Sequence, residues 1–468
     1  TVNSGSESIN RNNIMSFLAR ANYVYNGKYL LTATVRRDGS SRFGENKRWG
    51  NFPSAAIGWR VSDENFMNNV KLISDFKIRA SYGVTGNNAI GNYRALSLLN
   101  TSNYVVGDAL TPGTVPGSLA NTNLGWESQS QFDLGIDLAL FNNRISIVAD
   151  YYDKRNKDML FNIQTPSVTG FTTATVNLGE VQNKGYEFSL NTRNLVGAFR
   201  WNTNFNITFN KNKVLAMSTA NDKVFGSTSD KGVTNVTQVG SPIGVFYGRR
   251  AIGLFATDAE AASYGGQALA KAGDIKFKDV NGDKKIDDND REIIGSPHPD
   301  YFFGFNNTLS FKGFSLDILT SGMVGQKVYS GTFTANNSGV QNNAAFIDQA
   351  RWRSAENPGN SKYGQFGKAI RGGLNNSFQY SSLFIFDASY FRIRQVTLSY
   401  FLPSQVAGKL KLQSARFYIG INNLHTFTKY WGYDPEVGNA GDDQRVLGVD
   451  YGTYPIARAT TLGVNFSF

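Results

Sequence analysis

The feature that most constrains this chain is a strict alternation of apolar and polar residues over long segments. In "FDLGIDLAL", the apolar residues Phe132, Leu134 and Ile136 alternate with Asp133, Gly135 and Asp137. Successive side chains of a β-strand point to opposite faces, so each such segment predicts a strand with one apolar and one polar face. The same pattern recurs in "FKIRASYGV" (76–84), "FRWNTNFNITF" (199–209) and "TLGVNFSF" (461–468).

The connections between these segments alternate between tight and long. Tight connections include "NG" at Asn26–Gly27 and "FNNR" at Phe141–Arg144, and long ones span 86–123, 331–379 and 430–458. The alternation and turn signals predict roughly fourteen strands. Short turns at one end and long loops at the other are typical of outer-membrane barrels. The sequence therefore predicts an all-β fold, a portion of a transmembrane antiparallel β-barrel.

Soluble β-sandwiches also alternate, so they are the alternative fold. Charged and amide residues on the polar face favour a polar lumen, because a sandwich does not require them on nearly every strand. We predict that the apolar set faces lipid: Phe132, Leu134, Ile136, Leu138, Phe205, Ile207, Phe209, Val464 and Phe466. The residues predicted to face the lumen or a plug are Lys77, Arg79, Asp133, Asp137 and Asn204.

Composition argues against several classes of function. The formal net charge is +11, but the basic residues occur singly rather than in a basic helix, so no nucleic-acid partner is expected. The chain contains no cysteine and only two histidines, His298 and His425. Without cysteine, a thiolate site is impossible. Two histidines leave almost no candidates for a two-histidine metal site or a Ser–His–acid triad, so no enzyme activity is expected.

The segment "KDVNGDKKIDDNDRE" (278–292) has the spacing of a calcium-binding loop. Oxygen-bearing groups occupy the first, third, fifth, seventh, ninth and twelfth positions of an EF-hand-type loop. The predicted Ca²⁺ ligands are Asp279, Asn281, Asp283, the Lys285 carbonyl, Asp287 and Asp290. Two departures are the glycine at the fourth position and the aspartate, rather than glutamate, at the twelfth. The alternative is a polar hairpin tip with solvated acidic residues.

Six long blocks of sequence are distributed over nearly the whole chain. They are "RRDGSSRFGENKRWGNFPSAAIGWRVSDENFM" (36–67), "SYGVTGNNAIGNY" (81–93), "NKGYEFSLN" (183–191), "GFNNTLSFKGFSL" (304–316), "FRIRQVTLSYFLP" (391–403) and "NNLHTFTKYWGYDPEV" (422–437). In content and in order, these blocks resemble the SusC/RagA family of TonB-dependent outer-membrane transporters. Two departures from the family pattern are Thr122, where proline is common, and His425, where an apolar or aromatic residue is usual.

This resemblance implies an importer of oligosaccharides or oligopeptides in the bacterial outer membrane, surrounded by lipid. Its partners would be a SusD-like surface lipoprotein that closes the barrel and TonB, which acts through a plug. Such barrels have about 22 strands around a plugged lumen. We find no plug here, so residues 1–468 are expected to form the C-terminal part of the barrel. The connection 217–299, which shows no strand periodicity, is expected to be an extracellular loop carrying the calcium-type segment.

The aromatic segments 428–437 and 450–458 have two interpretations. Tyr430, Trp431 and Tyr433 are candidates for contact with substrate or lid, whereas a barrel's interfacial aromatic girdle would explain them equally well. Two other functions also stay open at this stage. One is a secreted, calcium-stabilised β-sandwich adhesin or carbohydrate-binding protein, and the other is a barrel scaffold subunit of a surface complex.

Overall fold

The computed structural model describes residues 9–165, 167–171, 173–217, 222–228, 231–267, 269–336, 351–359, 366–368, 379–438 and 445–468. The chain divides into two compact units. The first comprises Thr1–Phe188 and Lys213–Ala220, and the second comprises Ser189–Asn212 and Asn221–Phe468.

The described residues are folded mainly into strands. In chain order these are β1 Ile14–Tyr25, β2 Tyr29–Ser40, β3 Trp49–Arg60, β4 Ile73–Asn87, β5 Leu99–Val106, β6 Ala109–Pro116, β7 Glu127–Leu140, β8 Ile145–Lys157, β9 Leu160–Gln164, β10 Thr173–Asn177, β11 Glu180–Val196, β12 Phe199–Ala216, β13 Lys223–Thr228, β14 Gly232–Gln238, β15 Val245–Arg249, β16 Ala251–Leu254, β17 Ile275–Phe277, β18 Arg291–Gly295, β19 Tyr301–Phe311, β20 Phe314–Val324, β21 Lys327–Ser330, β22 Ile385–Asp387, β23 Tyr390–Phe401, β24 Ser414–Thr428, β25 Val449–Asp450 and β26 Ala459–Ser467. The α-helices within the described residues are α1 Asp258–Tyr264, α2 Gly331–Asn336 and α3 Ser404–Lys409. Single 3-10 turns lie at Glu45–Lys47, Val61–Asp63, Asn65–Met67, Ser167–Thr169, Asp288–Asp290 and Ser382–Phe384.

Among the described residues, thirteen strands belong to the large antiparallel sheet, close to the roughly fourteen predicted. They are β1, β2, β3, β4, β7, β8, β11, β12, β19, β20, β23, β24 and β26, and they keep their chain order. The remaining strands are short and belong to small sheets within the long connections. The prediction of an all-β antiparallel fold is confirmed.

In the first unit, the tight turns at 26–28 and 141–144 lie at one end of the sheet, and the longest connection lies at the other. β1 and β2 pair from Ile14↔Ser40 to Tyr25↔Tyr29, and the turn between them contains Asn26 (φ +49°) and Gly27 (φ +70°). These positive φ values are those of the hairpin turn that Asn-Gly favours, which confirms the predicted turn. The connection 88–126, between β4 and β7, lies at the opposite end of the sheet.

The apolar face of this sheet is exposed. Phe132, Leu134 and Ile136 are 40%, 44% and 41% exposed, and no second sheet of the described residues buries them. Leu138, on the same face, is partly exposed. In the second unit Phe209, Val464 and Phe466 are likewise exposed, and Phe205 and Ile207 are partly so. This is the arrangement expected of a lipid-facing surface and not of a sandwich, so the β-sandwich alternative is wrong.

The opposite face of β4, β7 and β8 carries a ladder of alternating charges. Arg79 lies between two carboxylates: its Nε is 3.1 Å from Asp137 Oδ1 and its Nη2 is 2.7 Å from Asp150 Oδ1. Lys77 Nζ is 3.7 Å from Asp137, and Ser81 donates to Asp133. The polar residues predicted for this face therefore contact one another across strands, where opposite charges stabilise the sheet.

Gly135 leaves the space through which Arg79 reaches Asp150. A Cβ atom at Gly135 would lie 2.3 Å from Asp150 Oδ1 and 2.6 Å from Arg79 Cζ. We therefore expect Gly135→Ala to lower the free energy of unfolding by about 1–3 kcal/mol, because the ion pair must rearrange around the new methyl group. The midpoint of urea unfolding in lipid vesicles measures this. The control is Gly197→Ala, since a Cβ there has no atom within 4 Å; equal midpoints for the two variants would contradict the prediction.

In the second unit, β12, β19, β20, β23, β24 and β26 continue as an antiparallel ladder in that order. The two-residue turn at 312–313 and the connection 402–413, which contains α3, lie at one end of it. β26 pairs only with β24 among the described residues, and in the first unit β1 pairs only with β2.

Candidate functional site

The second unit gathers three long connections at one end of its sheet. Tyr301 pairs with Val324, and Tyr390 pairs with both Met323 and Thr428, so the strand ends that bear these connections lie in register. We call the described residues of 222–299, 325–389 and 429–458 the loop head.

The loop head has a hydrophobic core to which all three connections contribute. Phe246 and Ile294 come from the first, Phe333 from the second and Val449 from the third, and each is at most 5% exposed. Phe333 is fully buried, and its ring packs against Phe366, Phe384, Phe386 and Trp431. Burial of this much apolar surface gives the connections a packed structure of their own.

Short strands hold the same connections together. The first connection forms a sheet of β13, β14, β15 and β18 and a β16–β17 pair, and β25 of the third adds in parallel to β21 of the second. The described part of the connection 217–299 therefore contains short strands, although its sequence shows no strand periodicity. Its strands have three to seven residues, too few for a clear alternation.

An arginine at the start of β23 fastens the third connection to the sheet. Arg392 is 2% exposed and reaches Asp434 Oδ1 at 2.5 Å, Glu436 Oε2 at 3.0 Å and Thr426 Oγ1 at 2.8 Å. Arg394 completes the cluster through Glu436 Oε1 at 2.9 Å. We call Arg392, Arg394, Asp434 and Glu436 the latch. Its carboxylates accept several charge-assisted hydrogen bonds, which are the stronger kind.

A second polar contact joins the two ends of the third connection. The Tyr430 hydroxyl donates to Asp450 Oδ2 at 2.6 Å, and Asp450 Oδ1 accepts from the backbone N–H groups of Gly452 and Thr453. Burial, followed by the hydrogen bond to Asp450, raises the pKa of Tyr430 above its usual range. The hydroxyl therefore stays protonated and donates at any physiological pH.

The three predicted contact aromatics differ in their surroundings. Tyr430 is 4% exposed beside Val328 and Ala388, and Trp431 packs against the core around Phe333. At 4% exposure the Tyr430 ring has no free face for stacking on a ligand, whereas Trp431 keeps a partly exposed surface. Tyr433 is 69% exposed, directly before the latch residue Asp434, so it is the member of the set that a partner could contact.

The calcium-type segment forms a tight loop whose side chains cap its own backbone. Asp279 Oδ1 accepts from Gly282 N at 2.7 Å and Asp279 Oδ2 from Lys284 N at 2.9 Å. Asn281 Oδ1 accepts from Asp283 N, and Asp283 Oδ1 accepts from Lys285 N. These bonds fold the first half of the loop inward.

Asp290 closes the loop. Its side chain is fully buried, and its two oxygens accept from Val280 N and Asp287 N, each at 2.8 Å. Burial opposes ionisation, but the backbone N–H groups of Asp287, Val280 and Asn281 together outweigh it and lower the pKa of Asp290. The twelfth position thus joins the two ends of the loop.

The described residues contain no group of three or more His, Cys, Asp and Glu side chains that could hold a metal ion. The predicted ligand set includes an amide, Asn281, and the Lys285 carbonyl beside its acids. The structure brings the predicted residues into one small loop, but it does not converge three carboxylates on a point. Calcium therefore remains a prediction.

Sequence reasoning missed the latch. The signal was present as two arginines two residues apart in "FRIRQ", a spacing that places both on one face of a strand, and two acids in "DPEV". Nothing in either segment indicates the other as its partner, since Arg392 and Asp434 are separated by a whole hairpin.

Comparison with known proteins gives a consistent result. The family model described as TonB dependent receptor-like, beta-barrel matches residues 2–424. The chain is 37% identical over 473 residues to TonB-dependent receptor P3 of Formosa agariphila, covering 98% of this chain and 46% of that protein. It is 30% identical to the TonB-dependent receptor SusC of Bacteroides thetaiotaomicron, covering 98% of this chain and 44% of that one. The chain therefore spans about half the length of the curated relatives it matches.

Among solved structures, the chain is similar to that of the RagAB peptide transporter. The TM-score is 0.81 at 25% identity, covering 97% of this chain and 47% of the other. No helix within the described ranges has the length and apolar character needed to cross a membrane. The family model, these relatives and the exposed apolar face of the antiparallel sheet agree with the predicted resemblance: the chain belongs to the TonB-dependent receptor family of outer-membrane proteins, as part of a SusC/RagA-like β-barrel.

Proposed function

We propose that the chain forms barrel wall and outer loops of a SusC-like, TonB-dependent importer of oligosaccharides or oligopeptides. The observation that carries this proposal is the loop head, because three connections share a buried core and the buried pair Arg392–Asp434 ties the third of them to the sheet. Long loops of outer-membrane barrels lie on the extracellular side. A structured mouth is suited to seating a SusD-like lipoprotein lid, and Tyr433 is the exposed aromatic residue that we assign to that contact.

Uptake by cells tests the import proposal. A strain lacking the gene, complemented with the intact protein, should take up a fluorescent oligopeptide or oligosaccharide mixture, and the uptake should disappear when TonB is removed. Uptake that persists without TonB would contradict the proposal. Normal complex formation with no uptake of either mixture would favour the scaffold alternative.

We also propose that the loop 279–290 binds Ca²⁺ as a structural ion. Support comes from the spacing of its oxygen ligands and from the inward fold imposed by Asp279, Asn281, Asp283 and Asp290. Hard cations such as Ca²⁺ prefer carboxylate, amide and carbonyl oxygens. Asp279, Asn281, Asp283, the Lys285 carbonyl and Asp290 would hold the ion, with Asp287 bound directly or through water.

Chelation of calcium is expected to speed amide hydrogen exchange in residues 272–295 while leaving the long strands unchanged. The reason is that the four aspartates predicted as ligands repel one another without a cation. Asp283→Ala should reproduce the effect. Asp288→Ala is the matched control, since Asp288 is a 76% exposed acid in the same loop but not a predicted ligand. Identical exchange with calcium and with chelator would refute calcium binding.

A further inference from the structure

An apolar groove lies on the exposed face of β2, β3 and β4, near the short-turn end of the first unit. Its volume is ≈ 470 Å³. Two cross-strand rows in register form its floor: Tyr29–Trp59–Ile78 and Leu31–Ile57–Ala80. Ile57 is 60% exposed and Tyr29 46%.

The groove exists because Ala80 has a small side chain. Its neighbours on the same face of β4 are Ile78 and Tyr82, and both are much larger. The resulting depression is lined by aliphatic and aromatic carbon, which favours a hydrocarbon chain over water. Because this face belongs to a membrane-embedded sheet, the hydrocarbon available to it is an acyl chain.

A polar cluster lies at one end of the groove, in the turns that follow β1 and β3. Glu64 Oε1 accepts from the Tyr29 hydroxyl at 2.7 Å and from Trp59 Nε1 at 3.0 Å, and Glu64 Oε2 accepts from Lys28 Nζ at 3.1 Å. The hydrogen bonds from Tyr29, Trp59 and Lys28 lower the pKa of Glu64 to about 2. Glu64 is therefore ionised at neutral pH, and its bonds orient the two rings that line the groove.

The charges of this cluster suit a headgroup that carries both signs. Lys28 uses one of its three N–H donors on Glu64, so the other two can bind a phosphate. Glu64 Oε2 accepts from Lys28 alone among the described residues, which leaves a lone pair for an ammonium. A headgroup with only a negative charge could bind Lys28, but it would lie beside the Glu64 carboxylate, which has the same sign, and would offer it no cation.

We propose that this groove and cluster form a binding site for one zwitterionic membrane phospholipid of the phosphatidylethanolamine class. An acyl chain lies along Leu31, Ile57 and Ala80, the phosphate contacts Lys28, and the ammonium contacts Glu64. The site depends on the membrane location of the sheet and not on the cargo, so its failure would leave the import proposal untouched.

Native mass spectrometry of the protein purified from outer membranes tests this site. The protein is reconstituted into nanodiscs of equimolar phosphatidylethanolamine and phosphatidylglycerol with identical acyl chains, then released in mild detergent to count retained lipids. We expect the unmodified protein to retain phosphatidylethanolamine preferentially. Ala80→Phe, which fills the groove, should retain one lipid fewer. Ala149→Phe is the matched control, because Ala149 pairs with Ile136 on the same face but does not line the groove.

A second variant tests the headgroup without changing the groove. Glu64→Gln removes the ammonium's partner and keeps the acceptor for Tyr29 and Trp59, so the retained ratio of phosphatidylethanolamine to phosphatidylglycerol should fall about 2- to 5-fold, as for one partly exposed ion pair. Equal lipid loss in Ala80→Phe and Ala149→Phe would overturn the proposal. Equal retention of phosphatidylglycerol and phosphatidylethanolamine by the unmodified protein would also overturn the proposal.

Discussion

Replacing Arg392 with leucine is expected to release residues 430–438 from the sheet and to destabilise the loop head by about 3–5 kcal/mol, because it leaves a buried carboxylate without its partner. Asp434 is 5% exposed and Arg392 2%, so water cannot replace the lost contact without opening the structure. Glu436 would lose one of its two arginine partners but keep Arg394.

Hydrogen exchange measured by mass spectrometry is the direct readout, since it reports opening of 430–438 separately from the long strands. The double variant Arg392→Leu with Asp434→Asn should recover part of the protection, because it removes the stranded charge as well. Arg416→Leu is the matched control: Arg416 lies on β24, and its guanidinium donates to Ser399 rather than to a carboxylate. Unchanged protection of 430–438 in Arg392→Leu would show that the latch does not hold this segment.

Replacing Phe333 with alanine should cost the loop head about 3–5 kcal/mol, the usual range for removing a buried phenylalanine. Phe333 is fully buried at the point where α2 meets Phe366, Phe384 and Trp431. Its removal would leave a cavity shared by the second and third connections, so both should become susceptible to proteolysis together.

Limited proteolysis of the protein in outer-membrane vesicles measures this effect, with cleavage expected in 325–336 and 429–438. Phe66→Ala serves as the control, since Phe66 is 65% exposed in a turn of the first unit and its loss creates no cavity. Under the proposed function, Phe333→Ala should also reduce uptake, because the mouth loses its shape while the barrel strands remain. Cleavage confined to one of the two connections would contradict a shared core.

The sequence by itself determined the strands of the large sheet and which face of each strand is apolar. It did so because side-chain direction in a strand follows a period of two, so local alternation is enough to assign a face. The Asn26–Gly27 turn was predictable for a related reason: positive φ values favour these residue types, and the structure has both.

Only the tertiary structure decided how the long connections fold. The core of the loop head combines Phe246, Phe333 and Val449 from segments separated by whole strands, and no local period marks them. Tyr430 was predicted as a contact residue because an aromatic residue in a loop is expected to be exposed. Its burial depends on Asp450, twenty positions away, and no local pattern indicates that contact.

The charged residues on the polar face of β4, β7 and β8 were also predictable only in part. That Lys77, Arg79, Asp133 and Asp137 share a face followed from alternation alone, but the passage of Arg79 to Asp150 through the space at Gly135 depends on the register of three strands. Register and loop packing are set by contacts between distant residues, whose free energies do not appear in any local pattern. Periodicity therefore determined the sheet and its two faces. Long-range burial and ion pairing decided the latch and the loop head, and strand register decided which side chains line the apolar groove.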